Sequence, residues 1–434
     1  PIMFLPFVFV PVINAIVGYV ATAAGWVNHL VVLNSGVEPV FANAWVLGAF
    51  TISPVILMVA LFALDLVLYY PRGEFIDKIP SWVNVMPVWY NTKHTVFWKN
   101  IIMSRNIFKR ILKNVLVNNL TVKHFVSKKE YDVSISFCGY HIFSNAFAAH
   151  SNAKKKLIWV HADYAKQFYL RDDFKKQFKK IYKQYKYFNK IICVSESVCE
   201  QYKKFKPELA SKLDYCWNII KERKYPNSGE NIKLQDGFNC LTISRLVKTK
   251  GIEKLIDIAK MLKKDNLNCH LYVAGDGSLR QTLQEQIKEN NLENNITLLG
   301  NVINLVPVFK QSNLYLSPSD LEGLPTVIVE SLLEGVPVIA TPIAGSIDIY
   351  KYMAPSNSMI LSKDSSAESL YECLKIALNN FNCLNNNNCS TTANNLVDTN
   401  NSNKENINLF KPFNFDIDKI NNETLNRFES LIGN

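Results

Sequence analysis

Short apolar runs alternate with amphipathic segments over most of the chain after Pro71, and this pattern limits the possible folds more than any other feature of the sequence. The runs have the length and the β-branched and aromatic content of buried strands. Between them, apolar residues recur with the period of a helix, as in Ile252, Leu255 and Ile256. The alternation predicts α/β domains with mostly parallel sheets and crossover helices. The predicted strands are 131–137, 157–161, 190–195, 239–244, 270–275, 296–300, 314–317 and 338–341.

A polar stretch, 221–238, separates two series of these strands and helices and contains the break Pro-Asn-Ser-Gly. We therefore predict two Rossmann-like domains. After the second domain the sequence becomes rich in asparagine and too poor in apolar side chains to pack, which indicates a disordered, low-complexity insertion. The predicted division is 72–225 for the first domain, 226–378 for the second, 379–408 for the insertion and 409–434 for a C-terminal helix.

The front of the chain is apolar, since the first 64 residues contain a single formal charge, Glu38. Within residues 1–71, the stretches 2–33 and 44–70 both exceed the roughly 20 residues that cross a bilayer. A two-helix transmembrane hairpin is therefore expected, with a buried helical hairpin of a soluble core as the alternative. The cations that follow, beginning with Arg72, would place the rest of the chain on the cytoplasmic side of a cell membrane.

Three motifs of this apolar front carry a resemblance: Pro-Ile-Met-Phe at 1–4, Pro-Val-Ile-Asn-Ala at 11–15 and Leu-Tyr-Tyr-Pro at 68–71. With them, residues 1–71 resemble the C-terminal spans of the permease (IIC) component of lactose/cellobiose-type sugar phosphotransferase systems. In that family the sugar-binding glutamate lies upstream of the position that matches Pro1.

Four turns, each between a predicted strand and a helix, contain the candidate ligand-binding residues. In the first turn, Arg245 follows a strand and Lys250 opens the next helix. Two cations beside a helix N-terminus suit phosphate, because the free N–H groups and the helix dipole attract anions. A solvated basic loop has the same pattern. The second turn, with Gly275 and Gly277, permits a tight bend and a close approach of a ligand.

The third turn, Ser-Pro-Ser-Asp-Leu-Glu-Gly-Leu-Pro-Thr at 317–326, places Glu322 in a loop at a strand end. Glu330 then falls inside the following helix on an otherwise apolar surface, where a buried carboxylate needs a partner. Vicinal ribose hydroxyls could supply two hydrogen bonds to it, and an ion pair within the domain is the alternative. The fourth turn, around Gly345, reaches the same sheet edge, where ligands of open α/β sheets bind.

In order and spacing these segments resemble the donor-binding domain of glycosyltransferase family 4, whose members are retaining enzymes of the two-Rossmann GT-B fold. The likeness begins near residue 66, at what matches the second strand of the family, so the first domain is expected to lack its first strand. By this resemblance Arg245 and Lys250 would hold the diphosphate. The donor-binding residues that it implies are Arg245, Lys250, Gly275, Gly277, Gly300, Glu322, Gly323, Leu324, Pro325, Thr326 and Glu330.

The same resemblance assigns catalytic roles to His161 and Glu322, with Glu322 on the donor sugar and Glu330 on the ribose. His161 ends a predicted strand in the first domain, where the family has a histidine that faces the donor sugar. A histidine that is satisfied by hydrogen bonds at its own strand end is the alternative.

The implied reaction moves a sugar from a nucleoside diphosphate sugar to a hydroxyl group of a glycan or a lipid-linked acceptor, in cell-envelope polysaccharide or glycolipid synthesis. The resemblance implies a reaction that needs no cofactor and no bound metal. The nine cysteines agree with this expectation, since they lie in no metal-ligand spacing. The alternative function is a permease fragment fused to a catalytically inactive GT-B-like binding module.

A formal net charge of +11 indicates an anionic partner. Lysines and aromatic residues interleave in 175–190, a pattern that fits nucleic acid, anionic lipid or a plain solvated helix. In the GT-B context we expect a membrane and not a nucleic acid as the partner.

Overall fold

The computed structural model describes residues 65–68, 79–81, 83–87, 130–220, 232–386, 409–410 and 412–433. The chain divides into two units, one formed by residues 1–221 with 418–434 and the other by residues 222–417.

The strands of the first unit are parallel. A two-stranded sheet joins β1 (Asp65–Leu68) to β2 (Asn84–Pro87). A four-stranded sheet has the order β3-β4-β5-β6, and the carboxyl halves of β4 and β5 are fully buried. The strands of this sheet are β3 (Glu130–Ser136), β4 (Asn152–Val160), β5 (Lys190–Cys193) and β6 (Leu213–Tyr215).

Amphipathic helices connect these strands. In the helix Asp172–Gln184, the residues Phe174, Phe178 and Ile181 are buried and lie three or four positions apart, so they form one apolar face. Its lysines lie on the opposite side. The helices of this unit before the polar linker are α1 (Ile142–His150), α2 (Tyr164–Leu170), α3 (Asp172–Gln184) and α4 (Glu196–Phe205).

The second unit contains a six-stranded parallel sheet with the order β12-β11-β10-β7-β8-β9. Its central strands are buried along their whole length, as expected for a parallel sheet that is covered by helices on both faces. The strands are β7 (Phe238–Ile243), β8 (Cys269–Ala274), β9 (Ile296–Gly300), β10 (Leu314–Ser317), β11 (Val338–Ala340) and β12 (Met359–Leu361).

The helices of the second unit pack on this sheet around one apolar core. They are α5 (Glu253–Lys264), α6 (Arg280–Glu289), α7 (Val306–Lys310), α8 (Thr326–Leu333), α9 (Ala344–Asp348) and α10 (Ala367–Asn386).

The last helix, α11 (Ile417–Gly433), packs on the first unit. The Arg427 guanidinium donates to Asp214 Oδ1 at 2.6 Å and lies over the Tyr215 ring. Asn421 exchanges two hydrogen bonds with the backbone of Ile220. The chain therefore returns to the first sheet after it has completed the second.

The eight predicted strands are present, seven of them within about two residues of their predicted ends. Three short strands, β2, β6 and β12, were not predicted, because runs of three or four residues carry little periodicity. The predicted insertion 379–408 begins too early, because α10 continues to Asn386. Apolar residues such as Phe381 extend the face of α10 that packs on the core.

The predicted transmembrane hairpin of residues 1–71 falls almost entirely outside the described residues. Its second span was predicted to run to residue 70, and this end is wrong, since Asp65–Leu68 pairs in parallel with Asn84–Pro87. A short, mostly apolar run such as Asp-Leu-Val-Leu fits a strand as well as the end of a membrane span. Among the helices that the structure describes, none has the length and hydropathy of a membrane span.

Candidate active site

The strand order of the second sheet reverses between β7 and β10. From β7 the chain proceeds to β8 and β9 on one side, and then returns to β10, β11 and β12 on the other side. Open α/β sheets bind ligands at the carboxyl edge of such a reversal. Arg245 follows β7 and Glu322 follows β10, so the two strands at this point each deliver a charged residue to that edge.

An ion pair connects the two sides of the reversal. Lys250 ends the short helix Lys248–Lys250, and its ammonium group donates to Glu322 Oε1. The same oxygen accepts a hydrogen bond from Ser319 Oγ at 3.1 Å. Both charged side chains are only 18% exposed, so the pair is largely shielded from water. The structure thus joins two predicted site residues that are 72 positions apart.

Glu330 lies in the second turn of α8 and is 8% exposed. Tyr315 in β10 lies near it, donates its hydroxyl to Ile243 O at 3.2 Å, and has its pKa raised by burial and by the charges of Glu322 and Glu330. Both predicted carboxylates therefore act electrostatically on the same buried phenol.

The loop that connects β10 to α8 is buried at Gly323, Leu324 and Pro325. A Cβ atom at Gly345 would lie 2.5 Å from Gly323 O, so the fourth turn packs directly against this loop. Thr326 begins α8, and in the described part of the chain no side chain caps its N-terminus. The N–H group of Ile328 donates to the carbonyl oxygen of Pro325 at 3.0 Å, whereas among the described residues no side chain accepts from the N–H groups of Thr326 and Val327, which can bind another acceptor.

The packing of the loops explains why glycine is required at positions 275 and 277. Gly275 has φ +133°, and a Cβ atom there would collide with the carbonyl oxygen of Ser244. A Cβ atom at Gly277 would collide with the carbonyl of Leu246. These glycines let two neighbouring loops touch through their backbones, a contact that was not predicted beside the tight bend and the close approach of a ligand.

Gly300 belongs to the same group of loops. Its φ is +76°, and its carbonyl oxygen accepts a hydrogen bond from Gly275 N at 2.6 Å.

Arg245 is exposed, and no ion pair joins it to another described residue. An exposed guanidinium at this edge of the sheet is suited to recruit an anion from solution.

His161 lies in the first unit, immediately after β4. Its Nε2 atom is 2.8 Å from Phe137 O, and because a carbonyl only accepts, Nε2 carries the proton. Nδ1 is then an acceptor, and it is buried without a hydrogen-bond partner among the described residues. Burial lowers the pKa of His161 to about 4, so the ring is neutral at pH 7. The alternative of a fully satisfied histidine is wrong for one of its two nitrogens.

Three residues of the site escaped the sequence analysis: Ser319, Asp320 and Lys254. Lys254 follows Lys250 by four positions, which is the spacing of one helical turn, although Gly251 with φ +62° separates the two helices. This spacing could have indicated it, although nothing in the sequence shows its contact with a loop 64 residues away. The described residues contain no group of three His, Cys, Asp or Glu side chains that could hold a metal ion.

Comparison with known proteins shows that this part of the chain is similar to glycosyltransferases. Residues 228–392 match the family model of Glycosyl transferases group 1. An uncharacterized glycosyltransferase of Methanocaldococcus jannaschii is 37% identical over 130 residues, which cover 30% of this chain and 31% of that protein. The poly(ribitol-phosphate) alpha-N-acetylglucosaminyltransferase of Staphylococcus aureus is 27% identical over 256 residues, which cover 53% of this chain and 50% of that protein. The chain thus spans half or less of the length of these relatives.

A solved structure extends the likeness to both units. The Anabaena protein Alr3699/HepE in complex with UDP and glucose superposes with a TM-score of 0.55 at 16% identity, over 84% of this chain and 91% of that chain. At this identity the likeness concerns the fold, and it confirms two parallel-sheet units of the GT-B type. Residues 228–392 of this chain are accordingly a glycosyltransferase group 1 domain of the GT-B type.

Proposed function

We propose that this chain is a retaining glycosyltransferase of family 4 that moves a sugar from a nucleoside diphosphate sugar to a hydroxyl acceptor. The observation that carries the proposal is the Lys250–Glu322 ion pair at the strand-order reversal of the group 1 domain. It sets a cation for the diphosphate and a carboxylate for the sugar side by side at the edge where such sheets bind ligands.

The charges fit the bonds that change in this reaction. The bond between the anomeric carbon and the β-phosphate oxygen breaks, and its electron pair stays on the leaving diphosphate. Arg245, Lys250 and the uncapped N-terminus of α8 would stabilise that developing charge. The acceptor oxygen forms the new bond, and its proton passes to the leaving phosphate, so no protein nucleophile is required. We assign Glu322 to the donor sugar and Glu330 to the ribose.

The neutral ring of His161 would contribute a hydrogen-bond acceptor, Nδ1, towards a sugar hydroxyl. The loop residues Gly275, Gly277, Gly300 and the segment from Gly323 to Thr326 complete the donor site in this proposal. No metal or other cofactor takes part in it.

Two similar proteins indicate which donor and acceptor to propose for this chain. The Anabaena structure holds UDP and glucose, and the S. aureus relative is named for N-acetylglucosamine transfer to poly(ribitol-phosphate). We propose a UDP-linked hexose as the donor and a cell-envelope glycan as the acceptor. The relatives named here are glycosyltransferases, and none is a permease.

We also propose that the chain acts at the cytoplasmic face of a cell membrane. The apolar sequence of residues 1–64 supports this location. So does α3, because its exposed residues Lys176, Lys179, Lys180 and Lys183 lie three or four positions apart and therefore on one face.

The test combines binding and turnover. The full chain in lipid nanodiscs is titrated calorimetrically with UDP, GDP and ADP, and sugar transfer from the matching nucleotide sugars is followed by UDP release and by the anomeric configuration of the product. Lys250→Met is compared with Lys248→Met, which removes an exposed lysine from the same short helix. We expect Lys250→Met to weaken nucleotide binding at least about tenfold and Lys248→Met to leave it within about twofold. Absence of binding by the unmodified chain, or equal losses in both variants, would refute the proposal.

A further inference from the structure

Lys254 lies in the first turn of α5, four residues after Lys250, and its ammonium group contacts the loop that carries Glu322. It donates to Pro318 O at 2.8 Å and to Asp320 Oδ1 at 2.6 Å. The Lys254 side chain is 18% exposed and Asp320 is 36% exposed. A partly buried lysine that donates to both a backbone carbonyl and a carboxylate of one loop restricts where that loop can lie.

The backbones of the two segments are also in direct contact. The N–H groups of Asp320 and Leu321 both donate to Thr249 O, at 3.0 and 3.2 Å. Gly251 has φ +62°, and a Cβ atom there would collide with Pro318 O. The turn 248–251 and the loop 318–322 therefore pack directly against each other. The Lys254–Asp320 ion pair connects the same loop to α5.

The segments that this pair connects are the ones that present Lys250 and Glu322. Lys250 lies four residues before Lys254, and Glu322 lies two residues after Asp320. Neither Lys254 nor Asp320 belongs to the residues that the family resemblance implies for the donor. If the loop moved away from the turn, the ammonium of Lys250 and the carboxylate of Glu322 would separate with it.

We propose that Lys254 and Asp320 are positioning residues, which hold the loop 318–322 on the turn 248–251 so that Lys250 and Glu322 meet the donor together. The inference rests on the proposed function of Lys250 and Glu322, and it adds the pair that sets their separation. In this role the pair acts through Lys250 and Glu322 and not by its own contact with the donor.

An ion pair of the same chemistry in the same helix supplies a matched control. In α5, Lys260 Nζ lies 3.5 Å from Asp257 Oδ1. The Lys260 side chain is 46% exposed and the Asp257 side chain is 60% exposed. Such an exposed pair contributes little, and it contacts neither the turn nor the loop. Lys260→Met therefore removes the same charge from α5 without acting on the site.

The experiment measures loop order and nucleotide affinity in the same samples of full chain. Hydrogen exchange followed by mass spectrometry reports the amides of Asp320 and Leu321, which need no ligand to be protected. Calorimetry gives the Kd of UDP. In Lys254→Met we expect faster exchange in the peptide that covers 317–325 and a Kd that is about tenfold higher. Lys254→Arg, which keeps the donors, should restore both values to within about threefold.

Asp320→Asn provides a milder change that preserves the shape of the loop, and we expect it to raise both exchange and Kd, by less than Lys254→Met does. Lys260→Met should match the unmodified chain. Unchanged exchange in Lys254→Met overturns the positioning role, even if this variant binds UDP more weakly. Faster exchange with an unchanged Kd also overturns it, because the contact would then only stabilise the loop. If the unmodified chain binds no UDP, the proposed function fails, while the exchange data still decide whether the pair fixes the loop.

Discussion

The Lys250 ammonium donates to the Glu322 carboxylate across the strand-order reversal of the second sheet, and each side chain is 18% exposed. In this arrangement the cation that suits a diphosphate is already neutralised by an internal anion. In the proposed function, a donor diphosphate shares or replaces the carboxylate as the partner of Lys250, and Glu322 would then accept from a sugar hydroxyl.

Glu322→Gln tests this competition. Glutamine keeps an oxygen that accepts from Lys250, so the loop stays on the turn, unlike in Lys254→Met. It removes the negative charge, so Lys250 attracts a diphosphate more strongly. We expect the Kd of UDP to fall by about threefold to tenfold, while sugar transfer falls sharply because the contact with the donor sugar is weakened. Calorimetry and a transfer assay measure the two effects.

Asp257→Asn, which removes an exposed acid from α5, is the control for a general change in charge and should leave the Kd unchanged. Weaker UDP binding by Glu322→Gln would contradict the competition.

The contact between Gly275 and Ser244 predicts a large cost for a single methyl group. In Gly275→Ala, the added Cβ meets a carbonyl oxygen at a φ of +133°, and we expect a loss of about 2 to 4 kcal/mol in the free energy of unfolding. Gly335→Ala is the matched variant, because Gly335 has φ +74° and no atom within 4 Å of the added Cβ. It should cost about 1 kcal/mol. Urea unfolding measures both, and equal losses would show that the backbone contact is unimportant.

The buried ring of His161 predicts a pH dependence of stability. Burial lowers its pKa to about 4, whereas an unfolded histidine titrates near its ordinary value of 6.5. Between these values the unfolded chain binds more protons, so stability is fully present above pH 6.5 and is lost as the pH falls towards 4. Compared with His161→Gln, the unmodified chain should lose up to about 1.4 kcal/mol more per pH unit in this window.

Glutamine keeps a donor near Phe137 O and carries no titratable group, so the comparison isolates the ring. Urea unfolding at pH 7, 6 and 5 provides the measurement. Parallel pH profiles for the two proteins would show that the ring titrates equally in the folded and unfolded states.

The C-terminal helix should depend on Arg427, which donates to Asp214 Oδ1 and to Tyr215 O and lies 3.5 Å above the Tyr215 ring. Removing these contacts in Arg427→Ala should weaken the attachment of α11 by about 1 to 2 kcal/mol. Hydrogen exchange of the peptide 417–433 should accelerate accordingly. Asn426→Ala, at the neighbouring exposed position, should leave the exchange unchanged, and equal protection in both variants would contradict the role of Arg427.

The elements of the fold were predictable because their signals are local. Strands such as β9 (Ile296–Gly300) and β10 (Leu314–Ser317) have the predicted ends, since each is a short apolar run between turn residues. The short strands β6 and β12 were not predictable, because a three-residue strand is defined by the neighbour it pairs with.

The sequence by itself determined the alternation of strands and helices, the carboxyl-edge turns and the residue types in them, because periodicity and turn chemistry act over a few neighbouring residues. Only the tertiary structure decided which of these residues meet. Lys250 pairs with Glu322 over 72 positions, and Lys254 with Asp320 over 66. Such contacts are set by the order of strands in the sheet, since a parallel sheet brings distant strand ends to one edge regardless of their separation in the chain.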